Sequence, residues 1–284
     1  MTSPETLSIT SADGHQYGAT LYPSNRENGP VLVFYPALGT PSKIYRSFAG
    51  TMAEHGVTVC TPDWRGIASS NLRASRKINF GYRHLVEMDA PALLANLKLR
   101  YPDQPVWLGG HSLGGQISAL IAATDAEVQG LLPIASGSVF LPCFPQKSQR
   151  QIRFMGLLIK TIVPLLGHFP GDRIGFGGRE AVGVMRDWYH VAETGCYAPS
   201  GSTLDYEQLL KSLSIPVLTL NFSTDSFAPS TAAEYLAGKL AACKREKWLW
   251  TQADSDGIAF DHYSWLKNAK VVVPRVATWM HKNL

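Results

Sequence analysis

Val106-Trp107-Leu108-Gly109-Gly110-His111-Ser112-Leu113-Gly114-Gly115-Gln116-Ile117-Ser118-Ala119-Leu120-Ile121-Ala122-Ala123 is the stretch that decides the fold. An apolar run enters it, a helix-compatible run leaves it, and Gly110 to Gly114 spell G-x-S-x-G between them. Strand, sharp turn and helix are the setting in which this pattern makes a nucleophile elbow. The flanking glycines have no Cβ to clash, so the backbone can fold tightly and leave the Ser112 hydroxyl exposed. The helix that follows aims its free N–H groups and positive dipole end at charge developing on a bound carbonyl. A glycine-rich linker carrying the same five letters would lack both flanks.

On either side of the elbow, short apolar runs alternate with helical stretches. Val31–Tyr35 precedes Tyr45–His55, Val57–Cys60 precedes His84–Leu99, and Gly130–Ala135 follows the elbow helix. Uniformly apolar short runs suit strands buried on both faces of a parallel sheet. Their alternation with helices predicts an α/β fold with right-handed crossovers. Ahead of them, Thr6–Thr10 and Tyr17–Tyr22 flank the turn signal Ala12-Asp13-Gly14 and read as an antiparallel hairpin. The alternation stops after Ser136 and resumes with a strand at Ile215–Asn221, a helix at Thr231–Ala242, a strand at Lys247–Trp250 and a helix near Tyr263–His281. Between these lies a Gly-, Pro- and aromatic-rich segment with helical pieces at Ile152–Val163 and Arg179–Val191. The expectation is a mostly parallel eight-stranded sheet flanked by helices, built from residues 1–138 and 208–284. Residues 139–207 form a helical insertion between its sixth and seventh strands.

With 284 residues, 45% of them hydrophobic, the chain can build one large α/β domain with an insertion. The net charge of +4 is a small excess of 26 basic over 22 acidic residues. Arg73, Arg76 and Lys77 come nearest to a cluster, but they sit beside Ser and Asn and read as a solvated loop. No nucleic-acid partner is expected. Cys60, Cys143, Cys196 and Cys243 show no C-x-x-C spacing, so they read as free thiols in a reducing compartment rather than a zinc or redox pair. The N-terminus has no basic-then-apolar leader, and Pro133 and Pro142 break the longest weakly polar stretch, which is too short to span a bilayer. A soluble, cytoplasmic protein is expected.

A serine hydroxyl needs a base within hydrogen-bond reach, and the base needs an orienting acid. Asp225 lies just past the strand Ile215–Asn221, and His262 lies in the loop before the final helix. The order Ser112…Asp225…His262 suits strand-to-helix elbows. Asp254, Asp256 and Asp261 are alternatives for the acid, but the first two follow the wrong strand and Asp261 adjoins the histidine. His15, His55, His84, His111, His168, His190 and His281 read as loop or core residues, although His168 and His190 could touch substrate from the insertion. The Asp254, Asp256, Asp261 and His262 group matches no zinc or calcium spacing, so no metal is expected. An oxyanion hole needs two backbone donors. Leu113 supplies the first, and the loop Pro36-Ala37-Leu38-Gly39-Thr40 the second, with Leu38 the first choice and Ala37 next.

With these residues the chain resembles the α/β-hydrolase superfamily over essentially its whole length. Pro62-Asp63-Trp64-Arg65-Gly66-Ile67-Ala68-Ser69-Ser70 is similar to the D-x-R-G-x-G-x-S segment of many members, with Ala68 standing at the second glycine. Pro36-Ala37-Leu38-Gly39, Tyr45-Arg46 and Phe48-Ala49 resemble a bacterial group of "predicted α/β hydrolases" with esterase-like catalytic residues. Pro36-Ala37 replaces the usual His-Gly of the oxyanion loop. The resemblance implies that residues 139–207 form a lid over the active site. Phe140, Phe144, Phe154, Phe169, Phe176, Trp188, Tyr189 and Tyr197 in that segment suit an apolar acyl or aromatic substrate, or pack the lid to its core. Ile152, Met155, Leu158, Ile159 and Ile162 follow a helical period and could face the active site, a second subunit or a membrane surface.

The reading is a lidded serine hydrolase that cleaves a carboxylic ester or thioester through an acyl-enzyme and needs no cofactor. Acyl transfer on the same acyl-enzyme is one alternative. A non-catalytic ligand-binding protein on this fold is another. A homodimer stays open.

Overall fold

The computed structural model describes residues 3–255 and 257–284. Its centre is an eight-stranded sheet. The strands are β1 (Glu5–Thr10), β2 (Gln16–Tyr22), β3 (Val31–Tyr35), β4 (Thr58–Pro62), β5 (Val106–His111), β6 (Val128–Ile134), β7 (Pro216–Phe222) and β8 (Lys244–Trp250). Their order across the sheet is β1-β2-β4-β3-β5-β6-β7-β8. The hairpin β1–β2 pairs antiparallel, with Glu5 opposite Leu21 and Thr10 opposite Gln16, and β2 meets β4 antiparallel. The remaining neighbours are parallel.

Burial explains which runs became which strands. All five residues of β3 and of β4 are buried, as a strand covered on both faces requires, whereas β1 alternates. Consecutive side chains of a strand point to opposite faces. Val31, Val33 and Tyr35 accordingly join one apolar core, and Leu32 and Phe34 the other. The edge strand β8 exposes Lys244, Arg245, Glu246 and Lys247, charges that discourage pairing with another chain. The hairpin edge is guarded less strongly, by the exposed ends of β1.

Helices α1 (Arg46–Glu54) and α8 (Ala269–Lys282) cover one face. Helices α2 (Ala90–Arg100), α3 (Leu113–Thr124) and α7 (Ser230–Lys239) cover the other. The expected helix at 84–99 is less regular than its apolar pattern suggested. A π-helical turn, Leu85–Asp89, precedes α2. Pro91 has no N–H to give to the Glu87 carbonyl and its ring crowds that oxygen, so the ladder widens there. The final helix also begins later than expected, because Ser264–Asn268 form a tighter 3-10 turn.

Between β6 and β7 the chain forms α4 (Gln146–Leu166), α5 (Val182–Thr194) and α6 (Tyr206–Ser212). Before α5 a two-residue ribbon pairs Phe169–Pro170 with Arg179–Glu180, which the sequence had suggested would be the start of a helix. Helices α4 and α5 touch closely because Gly156 has no side chain: a Cβ there would sit 1.9 Å from the Tyr189 ring. Asp187 of α5 anchors this segment to the sheet domain by accepting from the Tyr82 amide at 2.8 Å. No helix among the described residues is long and apolar enough to cross a membrane.

Candidate active site

Ser112 sits at the junction of β5 and α3 with φ 55° and ψ −119°, a conformation that L-residues rarely adopt. Close packing holds it there. A Cβ on Gly110 would lie 2.3 Å from the Gly114 carbonyl carbon, and one on Gly114 would lie 2.1 Å from the Tyr35 carbonyl oxygen. The Ser112 amide donates to the Ile134 carbonyl at 3.1 Å, and the Ser136 hydroxyl donates to the Ser112 carbonyl at 2.7 Å. Both bonds tie the turn to the end of β6.

Asp225 follows β7, and His262 precedes the turn into α8. His262 Nδ1 lies 2.8 Å from Asp225 Oδ2, and both residues are buried. The other carboxylate oxygen, Oδ1, accepts from the amides of Phe227 at 2.8 Å and Ala228 at 3.0 Å. The Thr224 hydroxyl donates to the Phe260 carbonyl at 2.6 Å and joins the two loops. The alternative acids turn elsewhere. Asp254 accepts from Thr251 and Arg275, and Asp261 accepts from the Tyr263 and Ser264 amides. Asp256 lies outside the described residues.

Ser112 and His262 line one cavity of about 410 Å³, with Leu38 and Leu113 in its wall. The Leu113 amide is in the first turn of α3, where helix N–H groups have no intrahelical partner. In the other loop the two neighbours differ. Ala37 donates its amide to the Tyr45 hydroxyl at 2.9 Å, which leaves Leu38 as the loop's candidate donor. The Tyr45 hydroxyl reaches His111 Nδ1 at 2.8 Å. Burial holds the Tyr45 phenol protonated and pushes His111 well below the usual histidine range, so the phenol donates to a neutral imidazole. The His111 ring packs 4.6 Å from that of His262 and so backs the site from behind.

The insertion supplies much of the cavity wall through Val139, Phe144, Ile152, Met155, Phe176 and Trp188. Of the eight aromatics singled out there, Phe144, Phe176 and Trp188 reach the cavity; Phe169 and Tyr197 are buried in the core, and Phe154 faces solvent. His168 and His190 are not in the wall. Sequence reasoning missed Gln116, Phe227 and Tyr263, which are wall residues carried by elements it did locate. It also missed Glu180, whose Oε1 accepts from the Gly178 amide at 2.8 Å. Gly39, at φ +65°, packs against this turn so closely that a Cβ would lie 1.9 Å from the Gly178 nitrogen. A larger cleft of about 880 Å³ opens beside Tyr22, Arg26 and Arg46 and holds none of these residues.

Three comparisons bear on this geometry. Residues 27–170 match the model of the family described as serine aminopeptidase, S33, a span that includes Leu38 and Ser112. No curated protein matches the chain. Similar solved structures include DcsB in complex with a substrate analogue (15% identity, TM-score 0.71, covering 99% of this chain and 100% of that one). The thioesterase domain from the curacin biosynthetic pathway is another (16% identity, TM-score 0.61, 97% and 99%). A third is Est1E from Butyrivibrio proteoclasticus with ferulic acid bound (18% identity, TM-score 0.63, 98% of each). At these identities the structural likeness establishes the α/β-hydrolase fold.

Proposed function

The chain belongs to the serine aminopeptidase (S33) family of α/β hydrolases, and from that premise we propose that it is a serine hydrolase cleaving a carboxylic ester or thioester. The observation that carries the proposal is the single cavity lined by both the strained Ser112 and the Asp225-bound His262. In this mechanism His262 takes the Ser112 proton as the hydroxyl oxygen attacks the carbonyl carbon. The Leu113 and Leu38 amides hold the resulting oxyanion. His262 then protonates the departing alcohol or thiol, and water, activated by the same imidazole, releases the acid. Asp225 keeps Nδ1 protonated and stabilises the imidazolium. The two amides on its other oxygen fix its rotamer.

The wall chemistry supports an uncharged acyl group. Among the described residues the cavity wall contains no Asp, Glu, Lys or Arg side chain. Cleavage next to a free peptide N-terminus, as the family's description suggests, calls for an anionic partner for the ammonium group, and this wall offers none. An esterase domain from a Rhodothermus marinus protein and the curacin thioesterase domain, both similar folds, fit the ester reading. The insertion acts here as the lid, with α4 and α5 setting acyl size. Acyl transfer to an alcohol or thiol is the same chemistry with a different second nucleophile, and ligand capture without turnover remains the rival that needs no intact triad.

Labelling with a fluorophosphonate, followed by peptide mapping, tests the reading. Ser112 is expected to be modified in the wild type and unmodified in His262→Ala. Ser112→Ala is expected to lose turnover of an acyl-ester panel on the order of 10⁶-fold while retaining substrate binding. A folded wild type that neither labels nor turns over any ester would sink the hydrolase proposal in favour of ligand capture.

A further inference from the structure

Helix α4 is apolar on two opposite sides. Gly156, Ile159 and Val163 are buried on its inner side, and Ile152 and Met155 reach the cavity. Positions 154, 157, 161 and 165 recur at the spacing that places side chains on one helical face. That outer face carries Phe154, Leu157 and Leu165, with Ile162 and Leu166 beside it. Phe154 is 63% exposed and Leu165 70%. Scattered exposed leucines need no explanation, but Phe154, Leu157 and Leu165, interrupted by the exposed Thr161, gather on one helix face, and an apolar patch of this kind marks an interaction surface.

Cations bracket the stripe. Lys147, Arg150 and Arg153 are exposed on the first turns of α4, and the helix contains no Asp or Glu. At its far end Arg76 Nε donates to the Leu165 carbonyl at 2.7 Å, with exposed Lys77 beside it. Among the described residues none of these five cations pairs with a carboxylate, whereas Lys160, on the flank, is paired with Glu193. A second copy of the chain is a poor occupant. A two-fold contact brings the same patch to itself, and so sets one unpaired basic cluster in the field of another. An anionic lipid surface meets both features: headgroups neutralise the bracketing cations, and the acyl boundary accepts Phe154, Leu157 and Leu165.

We propose that the outer face of α4 docks the protein on an anionic lipid surface. The helix then lies in the interface and does not cross it. One helix diameter, about 10 Å, separates the docked stripe from the Ser112 cavity. Surface docking stands independently of the hydrolase reading, because it involves none of the residues assigned to catalysis.

Co-sedimentation of the full chain with phosphatidylcholine vesicles, with and without phosphatidylglycerol, tests the proposal. Binding is expected to the phosphatidylglycerol vesicles, falling as salt is raised. Arg150→Gln with Arg153→Gln is expected to weaken it about 25-fold, at about fivefold per cation removed. Leu157→Gln with Leu165→Gln is expected to weaken it at least about tenfold. These side chains are exposed, so an unchanged melting midpoint establishes that each variant folds. The proposal is overturned if the wild type ignores anionic vesicles, or if either folded variant binds them as the wild type does. It is also overturned if sedimentation velocity shows a wild-type dimer that the leucine variant dissociates, because a second copy then owns the face.

Discussion

Ala68 occupies the place where the D-x-R-G-x-G-x-S pattern has glycine, and it takes up the backbone that glycine would, with φ 42°. An L-residue in that region costs about 1–2 kcal/mol, and the exposed Ala68 methyl recovers little by burial. Glycine removes the strain but adds about 0.4–1 kcal/mol of unfolded-chain entropy. Ala68→Gly is therefore expected to stabilise the protein by up to about 1.5 kcal/mol, read as a higher urea midpoint at unchanged slope. Loss of stability would show that the methyl makes a contact worth more than the strain. Ser112 carries similar strain at φ 55°, but its neighbours leave no relaxed alternative. The Gly110 and Gly114 contacts with surrounding backbone make both glycines obligatory for packing as well as for conformation.

Among the elements, the Gly175–Gly178 turn is the part of the insertion in direct contact with the loop that presents Leu38. Glu180 is buried beneath that turn and makes one amide hydrogen bond there. Burial, reinforced by Asp172 and opposed by the Gly178 amide, pushes its carboxyl up from 4.5 to about 7. The folded state thus holds this proton more tightly than the unfolded chain does. The contribution is fully present below pH 4.5 and is lost as pH rises to about 7. The loss is on the order of 3 kcal/mol. Urea midpoints measured across that window are expected to fall with rising pH in the wild type, and Glu180→Gln should flatten this part of the slope. An unaltered slope in the variant would assign the pH dependence to other groups.

At the scale of the whole molecule, the described residues include two hydrogen-bonded sets of acid and histidine, and of these the His262 set opens on a cavity. His15 Nε2 lies 2.9 Å from the Ser70 hydroxyl, and His15 Nδ1 lies 2.9 Å from Asp89 Oδ1, all buried. Geometry alone would make this a serine triad. Ser70, however, already accepts from the Gly66 and Leu72 amides, and Arg65 binds both oxygens of Asp89 at 2.7 and 3.0 Å. This set fastens the N-terminal hairpin to the π turn and to the D-x-R-G segment. Burial raises the Asp89 carboxyl, but the His15 and Arg65 bonds outweigh it and hold the group below the usual range. Arg65→Met leaves that charge buried without its cation and is expected to cost about 3–5 kcal/mol in chemical denaturation. A cost under about 1 kcal/mol would mean that His15 alone suffices.

What the chain shows in its linear order is what local chemistry controls. The two-residue period of the hairpin, the apolar runs of the buried strands and the glycines around Ser112 act over a few neighbours, so the sheet and the elbow were legible in the sequence. The succession of Ser112, Asp225 and His262 on three loops was legible for the same reason, since each follows or precedes a recognisable element. Tertiary structure alone decided the choices that depend on distant partners. Tyr45 takes the Ala37 amide, which leaves Leu38 as the loop's candidate donor. The loop after β7, rather than the one carrying Asp254 and Asp261, brings its carboxylate to His262. The insertion stripe splits because α4 has two sides: Ile152 and Met155 turn to the cavity, while Ile162 turns to solvent. Glu180 gave no signal at all, because a glutamate becomes a buried carboxyl only when the turn and the loop close over it, and no periodicity records that contact.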